Sequence, residues 1–460
     1  MATIPQPYLF SWREVDAVSD LGRLKLVLGV IPDEKLVRYL EERRGKGRDD
    51  YPVRPCWNAL LAGVVFQHVS AASLLRELQR NGELRDRCGF DPFRGSDAVP
   101  SEDAFGRFLK LLIDNAEFLV QMFHELVDEL VTELPDFGKH LAQDGKAVPS
   151  HGKPVRDETK ASQPDGRRDT DADWGVKKYS GVRDDGTSWE KVTSWFGYKL
   201  HLLVDTTYEL PVGFSITTAS ESDTKHLLPL VDETAQLHPQ LVERTETTAA
   251  DRAYDSAENN RELYDKYGIK PVIDSRVGLW KDKESTRPLD PQVADYFVYD
   301  EKGNLYCVCP QTGEQRTLAF AGFEKDRCAL KYRCPAAAFD LECKGRQECE
   351  SRAHVGSFGR TVRVPLNIDR RIFTPIARHT AIWKQLYDGR TSVERVNSRV
   401  DILLGFERHY IRGMAKMQMR MTLGLVVMLS MALGRIRLNQ SELMRSFVAP
   451  VSLAACGTCQ

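Results

Sequence analysis

Tyr387, Arg390, Glu394 and Asp401 lie in the stretch LYDGRTSVERVNSRVD, residues 386 to 401. At about 100° per residue, an α-helix brings Arg390, Glu394 and Asp401 within roughly 60° of Tyr387. A stripe of one aromatic ring, one guanidinium and two carboxylates can meet a phosphate and hold a cation. Two further acids stand elsewhere, Asp144 in QDGKAV and Asp251 in TAADRAYDS. Mg²⁺ takes oxygen ligands and keeps open positions for water or substrate, so acids from separate segments suit it. Asp144, Asp251 and Glu394 could together hold two Mg²⁺ ions about 4 Å apart. Such a pair activates a water or a 3′-hydroxyl on one side of a phosphodiester and stabilises the leaving oxygen on the other. The plainer reading makes each acid a surface residue or cap, and Arg390–Glu394 an i,i+4 pair worth a few tenths of a kcal/mol. With 66 acids in the chain, residue type alone does not separate the two readings.

The elements that must carry these residues follow from periodicity. Residues 1–135 read as helical. PCWNALLAGVVFQHV has Trp57, Leu60, Leu61, Val64 and Val65 at helical spacing. Ser70 caps a second helix that stops at Asn81-Gly82, and Ser101 caps a third. AEFLVQMFHELVDELVTEL forms a fourth, running to Pro135. The pair over 55–80 reads equally as a helix-turn-helix or as bundle packing. KHLAQDGKAV is a strand carrying Asp144, and the polar stretch 151–190 reads as a loop or flexible insertion. SWFGYKLHLLVD and LPVGFSITTA are strands joined near Thr206; ETTAAD and KPVIDSR are strands that alternate with two helices. Antiparallel strands followed by strand–helix alternation describe a mixed α/β sheet. Residues 277–365 are rich in turns and cysteine, and helical character returns from about 375 to 436.

QDGKAV, FGYKLHLLVD, TAADRAYDS and YDGRTSVERVNSRVD, in that order, resemble the DDE transposases of bacterial insertion sequences, over most of the chain. That family's last signature is Tyr, two residues, Arg, three residues, Glu, six residues, Lys. Tyr387, Arg390 and Glu394 match it; Asp401 stands where the lysine belongs. The resemblance implies a ribonuclease-H-like core with Asp144, Asp251 and Glu394 as catalytic ligands of two Mg²⁺ (or Mn²⁺) ions. It also implies that Arg390, Tyr387, Lys146, Arg252 and Arg408 contact DNA. Arg408 returns to the stripe only if the helix continues through Gly405. Asp401 is expected to pair with a nearby cation, such as Arg408 or Arg412, or to turn away from the DNA. The implied activity is binding of inverted-repeat ends, cleavage, and joining of 3′-hydroxyl ends to target DNA. The expected partners are double-stranded DNA and a second copy of the chain in a synaptic dimer. A metal-dependent nuclease without strand transfer, or an inactive DNA-binding descendant, are the alternatives.

The implied layout has five parts. They are a helical end-binding domain (1–135), the first part of the core (136–276), a cysteine-rich insertion (277–365), the helical remainder of the core (366–437) and a tail (438–460). Six of the ten cysteines fall between Cys307 and Cys349, spaced without the C-x₂-C pairs of zinc ribbons. Cys309, Cys328, Cys334 and Cys343 are the expected ligand set if the insertion binds Zn²⁺; a reduced, partly buried cluster is the alternative. Cys456 and Cys459 form a lone C-x₂-C. Lys+Arg 64 against Asp+Glu 66 leaves a net charge of −2, which does not exclude nucleic acid if the cations cluster. The start, MATIPQPYLFSWREVD, has no basic flank and apolar run, and MTLGLVVMLSMALG reads as a buried core helix too short to span a bilayer. A cytoplasmic, membrane-free protein is expected.

Overall fold

The computed structural model describes residues 18–44, 52–154, 168–183, 185, 187–276, 278, 280, 284–290, 297–351 and 359–452. Within them the chain opens with α1 (Leu21–Leu28), α2 (Glu34–Arg44), α3 (Val53–Val65), α4 (Ala71–Arg80), α5 (Gly82–Cys88), α6 (Glu102–Ile113) and α7 (Glu117–Glu133). The expected caps form: Ser70 Oγ accepts from the Ser73 N–H at 3.1 Å, and Ser101 Oγ accepts from the Ala104 N–H at 3.2 Å. Asn81, read only as a stop, also starts α5 by accepting from the Leu84 N–H.

A six-stranded mixed sheet follows, built from β1 (His140–Pro149), β2 (Asp173–Val182), β3 (Ser188–Asp205), β4 (Pro211–Thr218), β5 (Thr247–Ala250) and β6 (Lys270–Ile273). The order is β2-β3-β1-β5-β6, with β4 also paired to β3. The first pairings are antiparallel, and β1-β5 and β5-β6 are parallel. This is the mixed α/β class that the alternation anticipates. α8 (Leu227–Leu237), α9 (Pro239–Arg244) and α10 (Ala257–Tyr267) supply the crossovers. Gly268, at φ 72°, closes α10 in the left-handed conformation, where a side chain would be strained. The turn between β3 and β4 is fixed by Asp205, whose Oδ1 accepts from the Thr207 and Tyr208 N–H groups.

The stretch 151–190 is not a loop throughout. β2 pairs residue for residue with the outer half of β3, from Asp173↔Gly197 to Val182↔Ser188. Its alternation is hidden because two glycines face two tryptophans. A Cβ on Gly175 would stand 2.4 Å from the Trp195 ring, and one on Gly181 would stand 2.7 Å from Trp189. Indole rings therefore cover the positions where alternating side chains would have signalled a strand.

Beyond the sheet, β7 (Phe297–Tyr299), β8 (Leu305–Val308) and β9 (Gln315–Thr317) belong to one small sheet, and β10 (Ala319–Glu324), β11 (Ala329–Arg333) and β12 (Thr361–Pro365) form another. They enclose a second core containing Trp280, Tyr299, Tyr332, Val364 and Phe373, separate from the main one. Cysteine-bearing turns and two short helices, α11 (Pro335–Phe339) and α12 (Arg346–Ser351), hang on this unit. The cysteines do not gather as expected. Cys328 is exposed in a left-handed turn at φ 45°, whereas Cys307, Cys309, Cys334, Cys343 and Cys349 line one cavity. Cys456 and Cys459 lie outside the described residues.

The C-terminal helices are α13 (Ala381–Asp388), α14 (Thr391–Ile402) and α15 (Met414–Arg437). Gly389 and Arg390 join α13 to α14 in helical backbone conformation, at φ −58°, ψ −22° and φ −56°, ψ −28°. The polar stripe therefore survives a break in the hydrogen-bond ladder. It ends at Ile402. Gly405 then takes φ 77°, so Arg408 sits on an exposed loop and does not return to the stripe.

α15 has 24 residues and is long and apolar enough by composition to cross a membrane, longer than the apolar run alone suggested. In the fold it is a core helix, with Met417, Leu423, Val426, Val427, Leu429 and Leu433 buried. It packs on α1, α3, α6 and α7 on one side and reaches β4 on the other, so the helical region and the sheet share one continuous core. The ends of the described chain meet beside it. Val18–Ser19 pairs antiparallel with Val451–Ser452, Arg23 donates to the Phe447 carbonyl, and the buried Arg435 donates to the carbonyls of Ala449 and Pro450.

Candidate active site

β1 lies inside the sheet, antiparallel to β3 and parallel to β5. The parallel register sets Gln143 against Ala250, so Asp144 and Asp251 come next on neighbouring strands, at the same end of the sheet. A side chain at Gly145 would displace Asp223, since a Cβ there would stand 2.5 Å from Asp223 Oδ1. Asp223 is itself held by Lys199 Nζ at 3.0 Å. Asp251 Oδ1 accepts from the Ala253 N–H at 2.8 Å and starts the turn Arg252–Tyr254.

Burial pushes the Asp144 carboxyl up to about 6. Lys177 pulls it down, Asp251 pushes it up, and the Gly145 N–H and Arg390 pull it down again. Beside these acids the Tyr254 hydroxyl is buried near Asp223, Asp144 and Asp251, and among the described residues no group hydrogen-bonds it. Two neighbouring carboxylates and an orphaned hydroxyl make a place that fits a hydrated cation.

α14 delivers the third acid. Val393, Val396 and Val400 are buried and the helix packs on β1 and β3, which turns Glu394 outward beside the sheet end. Arg390 joins the parts: its Nη1 lies 2.9 Å from Glu394 Oε1 and it is an electrostatic neighbour of Asp144. The guanidinium stands 5.6 Å over the Tyr387 ring, which stacks on Trp383 at 4.8 Å. Glu394 is thus paired with Arg390. Among the described residues, no three metal-ligating side chains are drawn close enough to grip an ion. The site brings Asp144 and Asp251 together and holds Glu394 across Arg390 from them.

The other candidates divide. Lys146 Nζ binds Asp401 Oδ2 at 2.5 Å. The partner of Asp401 is therefore a strand lysine, and the expectation of Arg408 or Arg412 fails because the helix ends before either. Arg252 is exposed and pairs with Asp274 at 3.1 Å. Sequence reasoning missed Lys177, which lies in the stretch read as a loop; its Nζ donates to the Gly145 carbonyl at 2.9 Å. It also missed Glu209, at φ 57°, which holds Arg395 at 2.7 Å, Arg399 at 3.2 Å and Arg445 at 3.2 Å. Two of those arginines belong to α14, so this clamp fixes the helix that carries Glu394.

Comparison with curated proteins finds none of similar sequence. Among solved structures, the piggyBac transposase synaptic complex with hairpin DNA is similar at a TM-score of 0.38 and 9% identity, over 95% of this chain and 80% of that one. The sequence profile described as Transposase DDE domain matches residues 136–429, more than half of the 460-residue chain, and spans all three acids. The chain belongs to the DDE transposase family.

Proposed function

We propose that this transposase binds the inverted-repeat ends of its element, cuts a phosphodiester there and joins the freed 3′-hydroxyl to target DNA. Asp144, Asp251 and Glu394 are its catalytic residues, holding two Mg²⁺ or Mn²⁺ ions. The observation that carries the reading is the pair of acids on adjacent strands with Arg390 and Glu394 facing them. The ions, when bound, supply activation of the attacking oxygen and neutralisation of the leaving one. Glu394 would serve as the third ligand when the ions are bound, and Arg390 would then be free to meet a non-bridging phosphate oxygen. Lys177 and Lys146 flank Asp144 on either side of Gly145 and attract the backbone of the bound strand. Tyr387, stacked on Trp383, forms the wall beside it. Arg252, close to Asp251, and Arg408, on the loop beyond α14, offer outer phosphate contacts.

The helical region contributes end recognition, with the catalytic core spread over 136–276 and 366–437 and the cysteine-rich insertion between. The exposed Arg76 is its available cation on α4. Arg80 pairs with Glu77, and Arg85 donates to the Leu78 and Gln79 carbonyls. Synapsis of two ends calls for a dimer.

The test incubates the full chain with labelled end DNA and target plasmid, with and without Mg²⁺. Metal-dependent nicking at the end followed by joined product is expected. It should be abolished by Asp144→Ala, Asp251→Ala or Glu394→Ala with DNA binding retained. Nicking without joined product identifies a nuclease; binding without nicking identifies an inactive descendant. Near wild-type cutting by any one variant removes that residue from the triad.

A further inference from the structure

Five thiols from separate elements open into one cavity of about 190 Å³ in the cysteine-rich unit. Cys307 comes from β8, Cys309 from the turn after it, Cys334 from the cap of α11, Cys343 from the loop beyond and Cys349 from α12. All are free thiols. Three guanidinium groups, Arg316, Arg346 and Arg360, share the wall, and Arg360 Nη1 already donates to Cys349 Sγ at 3.6 Å. The surrounding fold has little else to hold it. Its core is small, its strands have two to six residues, and α11 and α12 have five and six. Units of this size generally need a disulfide or a metal in addition to their apolar burial.

We propose that this cavity is a structural zinc site with Cys309, Cys334, Cys343 and Cys349 as its ligands. Tetrahedral zinc takes four thiolates at about 2.3 Å, and each thiol releases its proton to solvent as its sulfur bonds. No electron is transferred. Among the described residues, no three of these thiols stand together at ligand spacing. Rotation about χ1 moves each Sγ while the backbone stays in place. A zinc tetrathiolate carries two negative charges, and the three guanidinium groups offset them.

Cys307 is left out because its strand is paired on both sides, which fixes its backbone in the sheet. Cys328 does not line the cavity. Zinc rather than an iron–sulfur cluster is the commitment.

The full chain, purified without chelator, should carry about one Zn²⁺ by elemental analysis. Cys343→Ser should lower this to well under half, while Cys328→Ser and Cys307→Ser should leave it unchanged. Should Cys343→Ser fail to fold, Co²⁺ exchange into the wild-type chain gives the second reading, namely sulfur-to-cobalt charge transfer with tetrahedral ligand-field bands. The proposal is overturned by absence of both zinc and the cobalt signature, by iron with labile sulfide, or by Cys328→Ser losing as much metal as Cys343→Ser.

Discussion

Asp144 binds its proton more tightly in the folded protein than in the unfolded chain, because burial moves its carboxyl from an ordinary 3.8 to about 6. The stability this gives is fully present below about pH 4 and is lost as pH rises through about 6. Asp144→Asn should therefore stabilise the protein in EDTA at pH 8, by roughly 1–3 kcal/mol, while abolishing cleavage. The gain should vanish near pH 4, and Mg²⁺ should raise the melting temperature of the wild type but not of the variant. Thermal melts across pH, with and without Mg²⁺, check this; a variant no more stable than wild type at pH 8 contradicts it. The Lys146–Asp401 pair yields a second expectation. Asp401→Lys sets two ammonium groups together and should cost roughly 1–2 kcal/mol. Adding Lys146→Asp should recover most of that loss, and the double swap places the cation where the family signature has it. Denaturant melts of the two singles and the double measure the coupling. The three acids stand out in the sequence because each sits in a short motif, and the structure sets two of them, Asp144 and Asp251, at the same end of adjacent strands. The partner of Asp401 does not stand out, because 255 residues separate the pair and only the β1–α14 packing joins them.

Among the elements, α14 is held at both faces, by buried valines on the sheet and by the Glu209 carboxylate on Arg395 and Arg399. Glu209→Ala leaves three arginines without their shared acid and should destabilise the protein by about 2–4 kcal/mol. Glu209→Gln, which keeps shape and some hydrogen bonds, should recover part of this. Urea melts give the stability, and cleavage rates should fall in the same order as Glu394 loses its support. A Glu209→Ala protein with unchanged melt and rate would show that the valine face alone positions α14. Most strands and helices were legible from alternation, caps and Gly268. The β2–β3 hairpin was not, because Gly175 and Gly181 break the apolar alternation that a single strand displays, and the tryptophans that complete the pattern lie on the other strand.

Among the described residues there is one large core, shared by the N-terminal helices, the sheet and α14–α15, and one small core around Phe297, Tyr332 and Phe373. Opening free energies differ where buried apolar contacts differ. Amide hydrogen exchange should therefore be fastest, among paired strands, in β8, β10 and β11, and slowest in β1, β3 and the centre of α15. Equal protection in the two sets would show that the small unit opens only with the whole. The sequence changes composition near residue 277, but the small core also takes in Ile372, Phe373 and Ala377, beyond the stretch 277–365. The continuity of the helical region with the sheet was not legible, because it runs through α15, some 280 residues beyond α7 in the chain.

That central helix has a consequence in time. α1, α3, α6 and α7 are made first, yet the surface that covers them belongs to residues 414–437 and to the strand at 451–452. At about 5–20 residues per second, about 15 to 60 s separates the end of α7 from the end of α15 in synthesis. During that interval the nascent helices expose the apolar face that α15 later buries, and they offer chaperones a binding surface. A stalled nascent chain ending at residue 410 should be cut readily by protease within residues 21–133, and one extended past 452 and clear of the ribosome should resist. If the shorter chain resists equally, the helices close on themselves before α15 arrives.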